Sequence, residues 1–435
     1  MRGSPTCLPL RLALAAFGSV LAPGALAQTH WTVDDDGPAD FSSLATAVAS
    51  PHVKKDDVLR IAPGTYAAFK TSKALRLISS GAAERPQIVG GETIFESSFG
   101  PIVLAGLQFE ELRCGYMIEP LVIEDCVVGH VENLPWLPTW SDAASSYTFW
   151  LRGCDAVVSN VTAWGQKSAS MSTPATAALA LHDGYFAVVN GTLKGGPGGI
   201  ENDCSAPGKS AIHVEGPAGV VVAGCSLKGG NGGLSSGLCG QQQNQSHGGS
   251  GLRVAQATPF FPGPSRAWVR GSSAHVLDPG EATGTGNDAA SMDGSGEVVA
   301  SGCTFELPLF GDSVAGTLAE PPEPYLLITH DGVPGGSARL ELYGPAGATA
   351  AVAIGTAGAP SEPGHIVGGA LWLQPASVVV TLHLTTLGQD VPAVRVFRLP
   401  ESDSHAGTVA WAQAFFPVGD GTQLATNPAT VVLRF

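Results

Sequence analysis

Four short segments alternate apolar and polar residues and hold the side chains best suited to chemistry. They are Phe149-Trp150-Leu151-Arg152, Leu179-Ala180-Leu181-His182, Ile212-His213-Val214-Glu215 and Leu252-Arg253-Val254-Ala255. A period of two marks a strand with one buried face. Phe149/Leu151, Leu179/Leu181, Ile212/Val214 and Leu252/Val254 then point inward, and Trp150, Arg152, His182, His213, Glu215 and Arg253 share the opposite face. An aromatic ring beside guanidinium, imidazole and carboxylate groups suits the stacking and hydrogen bonding of a sugar chain. Glu215 is the weak candidate for a general acid or base, because a lone carboxylate lacks the partner that glycoside hydrolysis uses. An ordinary solvent-facing sheet is the competing reading.

Other chemistry is poorly provided for. The sequence has no GxSxG elbow and no HExxH or CxxC metal pattern. Glu124/Asp125, Glu201/Asp203 and Asp288/Asp293 fall in turns or loops without metal-ligand spacing, and Asp34, Asp35 and Asp36 sit beside a turn as exposed acids. No cofactor is expected; Ca²⁺ stays open as the one alternative, without a clear ligand cluster to support it. The runs KGGPGG at 194–199 and KGGNGG at 228–233 lack the helix N-terminus that a phosphate cradle requires, so they read as flexible turns.

The elements that must position these residues are repeats. VLAGLQF (from 103), VIEDCVV (122), VVSNVTA (157), AVVNGTL (187), VVAGCSL (221), WVRGSSA (268) and VASGCTF (299) share one pattern. Their turn residues, Gly106, Asp125, Asn160, Asn190, Gly224, Gly271 and Gly302, are spaced by 19, 35, 30, 34, 47 and 31 residues. Irregular repetition on this scale implies stacked supersecondary units, with a β-propeller as the rival to a solenoid. Asn160 and Asn190 head glycosylation acceptor patterns that the repeat turns already explain; Asn244 heads a third. Cys126, Cys225 and Cys303 directly follow turn residues, which predicts buried, reduced core positions.

Composition sets the surroundings. Residues 1–27 have the form of a secretory signal peptide: Arg2 and Arg11, an apolar run at 12–21, and Ala25-Leu26-Ala27 at the cut. That run is too short to span a bilayer, and no later stretch reaches the length of a membrane helix. The formal charge of −15 disfavours nucleic acid and anionic lipid as partners. With 57 Gly and 32 Pro but only 14% charged residues, turn-rich β structure is favoured over surface helices. An exported chain permits disulfides. The cysteines beyond the two glycine runs, Cys204 and Cys239, are the expected pair, and Cys114 with Cys154 is a second candidate.

The opening after Trp31 combines Asp-Gly, Asp40-Phe41, a helix-like stretch at 42–50, Asp56-Asp57-Val58-Leu59-Arg60-Ile61 and a Pro63-Gly64-Thr65-Tyr66 turn. It resembles secreted right-handed parallel β-helix proteins of the pectate-lyase-like superfamily, which implies a capping helix over the first coil. Activity does not follow, since lyases, esterases and non-enzymatic members share that opening; the Asp pairs with Gly-His-Gly of polygalacturonases and the signature runs of pectinesterases are absent. The tail, with Leu399-Pro400, Ala406-Gly407, Trp411-Ala412-Gln413-Ala414 and Thr426-Asn427, resembles a C-terminal β module of large exported bacterial proteins.

The expectation is an all-β chain: a signal peptide at 1–27, a β-helix with an N-terminal capping helix at 28–318, a Pro-rich linker at 319–324 and a small β-sandwich at 325–435. It would be a secreted or cell-surface monomer, non-catalytic, structural or binding a polysaccharide or cell-envelope glycan. The alternative is a divergent polysaccharide lyase, epimerase or hydrolase using the open face.

Overall fold

The computed structural model describes residues 28–434 apart from 82–83, 130–146, 168–174, 199, 202–203, 206, 233–244, 247, 256–265, 272–275, 279–282, 285–291, 295–296, 302–303, 306–316, 319–322, 332, 334, 362–365, 368–370, 402–404 and 420–421. Residues 1–27, Asn244, Cys239, Cys303, Asp203, Asp288 and most of the proline-rich run therefore lie outside the described residues.

The described strands from His30–Val33 to Thr317–Leu318 wind into a right-handed parallel β-helix. Each coil contributes one strand to each of three parallel sheets; one coil runs Phe149–Arg152, Ala156–Ser159 and Thr162–Trp164. Each strand pairs in parallel with its counterparts in the coils on either side, as when Ala156–Ser159 pairs with both Leu121–Glu124 and the second half of Leu179–Val189. Propeller blades would pair antiparallel with their neighbours, so that alternative is excluded. The helix predicted at 42–50 spans Leu44–Ala49, with the Ser43 hydroxyl accepting from the Thr46 amide. It buries Leu44, Ala47 and Val48 over the first coil, where they cap the core.

The predicted inward pairs are in place: Phe149, Leu151, Leu179, Leu181, Ile212, Val214, Leu252 and Val254 are all fully buried. The turn residues are explained by backbone conformation. Gly106, Asp125, Asn160, Asn190 and Gly224 all have φ between 50° and 71°, a region where Gly is unstrained and Asn or Asp tolerable. Their amides donate to the next coil in turn, as from Asn160 to the Val189 carbonyl and from Asn190 to that of Ala223. The Asn190 side chain donates to Asn160 Oδ1 at 2.6 Å, so the two acceptor-pattern asparagines form a ladder.

Two expectations need correction. The glycine runs are not flexible turns but a close-packed layer at one corner of the helix. The Gly195 amide donates to the Lys228 carbonyl, Gly196 to Thr176, Gly230 to Lys209 and Gly249 to Gly230. A Cβ on Gly195, Gly196 or Gly230 would stand 1.8–2.0 Å from a neighbouring carbonyl oxygen, so only glycine permits backbones this close. Cys114 and Cys154, the second candidate pair, are free and buried like Cys126 and Cys225. Cys114 is in register with Leu151, which places it among the inward-facing core residues.

The described C-terminal residues form two main, largely antiparallel sheets and a two-stranded ribbon of Gly358–Ser361 with Leu371–Leu373. Tyr325–His330, Ser337–Tyr343 and Ala393–Arg398 make one; Thr349–Gly355, Val378–Thr385, Val409–Gly419, Thr422–Ala425 and Ala429–Val432 build most of the other. The tail motif residues serve this packing. Gln413 Oε1 accepts from the Trp372 amide at 3.0 Å and its Nε2 donates to the Thr426 carbonyl, while Asn427 both donates to and accepts from the Leu326 backbone. Glu323 and Pro324, at the end of the predicted linker, already belong to the body: the Glu323 carboxylate accepts from Arg270 Nε at 2.9 Å, and Pro324 is buried.

This module lies against one sheet of the β-helix. Val58, Ile78, Val103, Val122, Val157, Ala187, Val189 and Ala223 share a single core cluster with Tyr325, Leu342, Trp411 and Val432. That explains the valine runs of the repeats: strands buried on both faces read as continuous apolar stretches rather than alternating ones.

Candidate functional site

Of the three sheets, the one carrying the chemistry-bearing residues has its outer face free of the module. It is built from the ends of Gln87–Glu96 and Gln108–Gly115, from Phe149–Arg152, from the starts of Leu179–Val189 and Ile212–Ala223, and from Leu252–Val254. Register sets Arg113 beside Trp150, Arg152 beside His182, His182 beside Glu215 and His213 beside Arg253. All six residues expected on this face therefore lie on it, in consecutive coils.

Their environments differ from the expectation. The Arg113 guanidinium carbon stands 4.1 Å over the Trp150 ring, and Arg152 lies 5.8 Å from the same ring. Trp150 is half-buried within this cation–π stack and is not an open stacking platform. His182 is buried rather than exposed, with its ring packed edge-on against Trp150 and Tyr147. Glu215 Oε2 lies 3.7 Å from His182 Nδ1 and 3.8 Å from His213 Nε2. Burial first, and then the nearby Arg152, push His182 down to about 4; burial and Arg253 do the same for His213. Both imidazoles are therefore neutral at neutral pH, acting as dipoles around the Glu215 carboxylate.

The face is longer and more acidic than sequence reasoning found. Glu92 and Glu111 are in register on adjacent coils, and Arg113 lies 3.8 Å from both Glu92 and Glu96. Lys70 pairs with Glu96 at 2.9 Å, and Arg152 lies 3.7 Å from Asp183. Glu111 is buried and accepts from Gln166 Nε2 at 3.3 Å. Burial, reinforced by the like charge of Glu92, raises its carboxyl to about 8, so it is protonated at neutral pH. Part of the signal was available: Glu111-Leu112-Arg113-Cys114 alternates polar and apolar residues as the other four segments do, whereas Ile94-Phe95 interrupts the alternation of Glu92–Glu96. Tyr147 carries no such periodic mark.

Among the described residues, the other acids singled out from the sequence are held by local contacts. Glu124 is buried beneath the C-terminal module, and Asp125 accepts from Arg85 and Arg434 at 2.7 Å each. Asp34, Asp35 and Asp36 gather their carboxylates within 4.8 Å, yet Asp34 accepts from the Gly37 amide and Asp35 from that of Thr65.

No known protein family and no curated protein sequence matches this chain. Among solved structures it is similar to the enzymatically active domain of tailspike protein 2 from bacteriophage CBA120, with 7% identity and a TM-score of 0.27. That similarity covers 86% of this chain and 71% of the tailspike domain. At this distance the fold assignment rests on the strand pairing alone.

Proposed function

We propose that this chain is an exported, pectate-lyase-like β-helix protein that binds a polysaccharide or cell-envelope glycan along its open sheet. One observation carries the reading. Two β-helix strips present very different surfaces: the apolar one is sealed by the C-terminal module, while the other presents Lys70, Glu96, Arg113, Trp150, Arg152, Asp183, His213, Glu215 and Arg253 along successive coils. Alternating donors and acceptors on a regular rung spacing of about 4.8 Å suit a polyhydroxylated chain laid along the solenoid. The signal peptide at 1–27, the Cys204–Cys239 disulfide and the monomeric state belong to the same proposal. A glycan array on the protein lacking residues 1–27 tests it; no retained glycan in any class overturns it.

A second reading is glycoside hydrolysis, and a specific observation favours it. Glu111, holding its proton at neutral pH, is in register with Glu92 one coil away. A protonated carboxyl beside a second carboxyl is the pairing that glycosidases use, and one-rung separation fits the retaining arrangement better than the wider inverting one. Release of reducing ends that is lost in Glu111→Gln supports this reading. Glycan binding without any turnover leaves the first.

A further inference from the structure

A second column of turn residues closes the open sheet at its far edge. Ser97, Tyr116, Gly153, Asp183 and Gly216 follow one another on successive coils, each with φ between 54° and 78°. The Ser97 amide donates to the Gly115 carbonyl, that of Tyr116 to Arg152 and that of Gly153 to His182. Glycine fits this left-handed conformation freely and aspartate tolerably, while the small Ser97 is uncommon there. Tyrosine does not fit it, since a bulky side chain at positive φ is a genuine outlier.

The geometry around Tyr116 shows what the outlier achieves. Its ring lies over the backbone of the next coil, where a Cβ on Gly153 would stand 3.1 Å from Tyr116 Cδ1. The Arg152 guanidinium carbon is 5.5 Å from the ring centroid. The ring nevertheless remains 52% exposed, Phe99 and Ile118 in the same two loops are each 69% exposed, and the Ile118 amide ties those loops by donating to the Ser98 carbonyl. A tyrosine ring this open, held in a strained conformation that packs nothing of the core, is poorly explained by stability.

We infer that Tyr116, Phe99 and Ile118 form the stacking platform for sugar rings at the edge of the glycan-binding face. The inference rests on the glycan reading above and adds where the rings lie. Glu96, Arg152 and Asp183 flank the platform with charges of alternating sign. This rim complements a chain of hydroxyls better than a polyanion. Aromatic faces supply rigid, amphipathic contact for the C–H face of a pyranose, while the neighbouring ionic groups take its hydroxyls. A folded protein partner would call for a broader contiguous apolar patch than three side chains hemmed in by ion pairs.

The test uses the protein lacking residues 1–27, with soluble neutral, uronate-containing and amino-sugar polysaccharides as probes in affinity electrophoresis and titration calorimetry. Tyr116→Gly should weaken binding of the retained polysaccharide at least about tenfold, while its Tm stays level or rises because glycine adopts positive φ freely. Phe99→Ala should weaken binding in the same direction, and Tyr116→Phe should preserve it. Undiminished binding in Tyr116→Gly, or a lowered Tm showing the ring to be structural, overturns the platform while leaving the glycan reading standing. A wild-type protein that retains none of the polysaccharides overturns both.

Discussion

Glu124 of the β-helix and His330 of the C-terminal module meet at 2.5 Å, with both side chains almost entirely excluded from solvent. The carboxylate also accepts from the Val432 amide at 2.9 Å and the Thr430 hydroxyl at 3.2 Å, so one buried acid anchors the module's first and last strands. Burial alone would lower the His330 pKa, but attraction to Glu124 and the hydrogen bond outweigh it and the net shift is upward. A raised imidazole contributes stability in full below its unfolded value of about 6.5, and loses it as pH rises through the folded value.

Breaking this pair should therefore loosen the module in a pH-dependent way. His330→Gln is expected to destabilise the protein by about 3 kcal/mol at pH 6, where it strands a buried carboxylate. The penalty should shrink as pH rises past the folded value. Calorimetric unfolding of both proteins across pH 6–9 measures the difference; a constant gap would show that His330 is neutral in the folded state.

Glu111 imposes a second loss of stability with rising pH, of a different origin and from acid to neutral pH. Its carboxyl is raised to about 8, so the folded state keeps a proton that the unfolded chain releases near ~4.3. Stability should fall as pH climbs between those values, and Glu111→Gln should gain on the wild type by on the order of a few kcal/mol at pH 8 and above. The cross-over appears in Tm against pH. An unaltered pH profile in the variant would place the carboxyl in the ordinary range.

The glycine layer predicts unusual intolerance to a single methyl group. Gly230→Ala puts a Cβ 2.0 Å from the Gly196 carbonyl oxygen, a backbone clash that no side-chain rotation relieves. A loss of about 3 kcal/mol or more is expected. Gly81→Ala, whose nearest neighbour would be a proline side-chain atom at 3.4 Å, is the control and should be nearly neutral. Equal denaturation midpoints for the two variants would refute the close packing.

Four cysteines should be silent toward thiol reagents in the native state. Burial pushes the thiols of Cys126, Cys154 and Cys225 up to about 12, and that of Cys114 upward as well. Cys126 and Cys225 also lie within hydrogen-bond reach of backbone carbonyls, at 3.4 Å from those of Glu124 and Ala223. Iodoacetamide at pH 8 should label none of the four natively and all of them in denaturant. A Cys114–Cys154 peptide in the unreduced digest would contradict the free thiols.

The sequence by itself determined the solenoid. Alternation in Phe149–Arg152 and its relatives sets which side chains face inward, and the Gly, Asp and Asn of the repeat turns mark positive φ; both are properties of the local backbone that a chain declares residue by residue. Tertiary structure alone decided what those faces meet. Nothing local distinguishes the valines at 157 and 158, yet Val158 packs inside the helix and Val157 against the C-terminal module, whose first strand starts only at Tyr325. Glu124 looked like a turn acid until strand register aimed it at His330, and Gly195, Gly196 and Gly230 looked like parts of flexible turns until adjacent coils brought their backbones together. The candidate site divides in the same way. Period-two alternation gathers Trp150, His182, His213 and Glu215 on one face, whereas whether Trp150 is open to a ligand depends on Arg113 in the preceding coil. Stacking distance between coils is a long-range quantity, and the spacing of residues along one strand does not encode it.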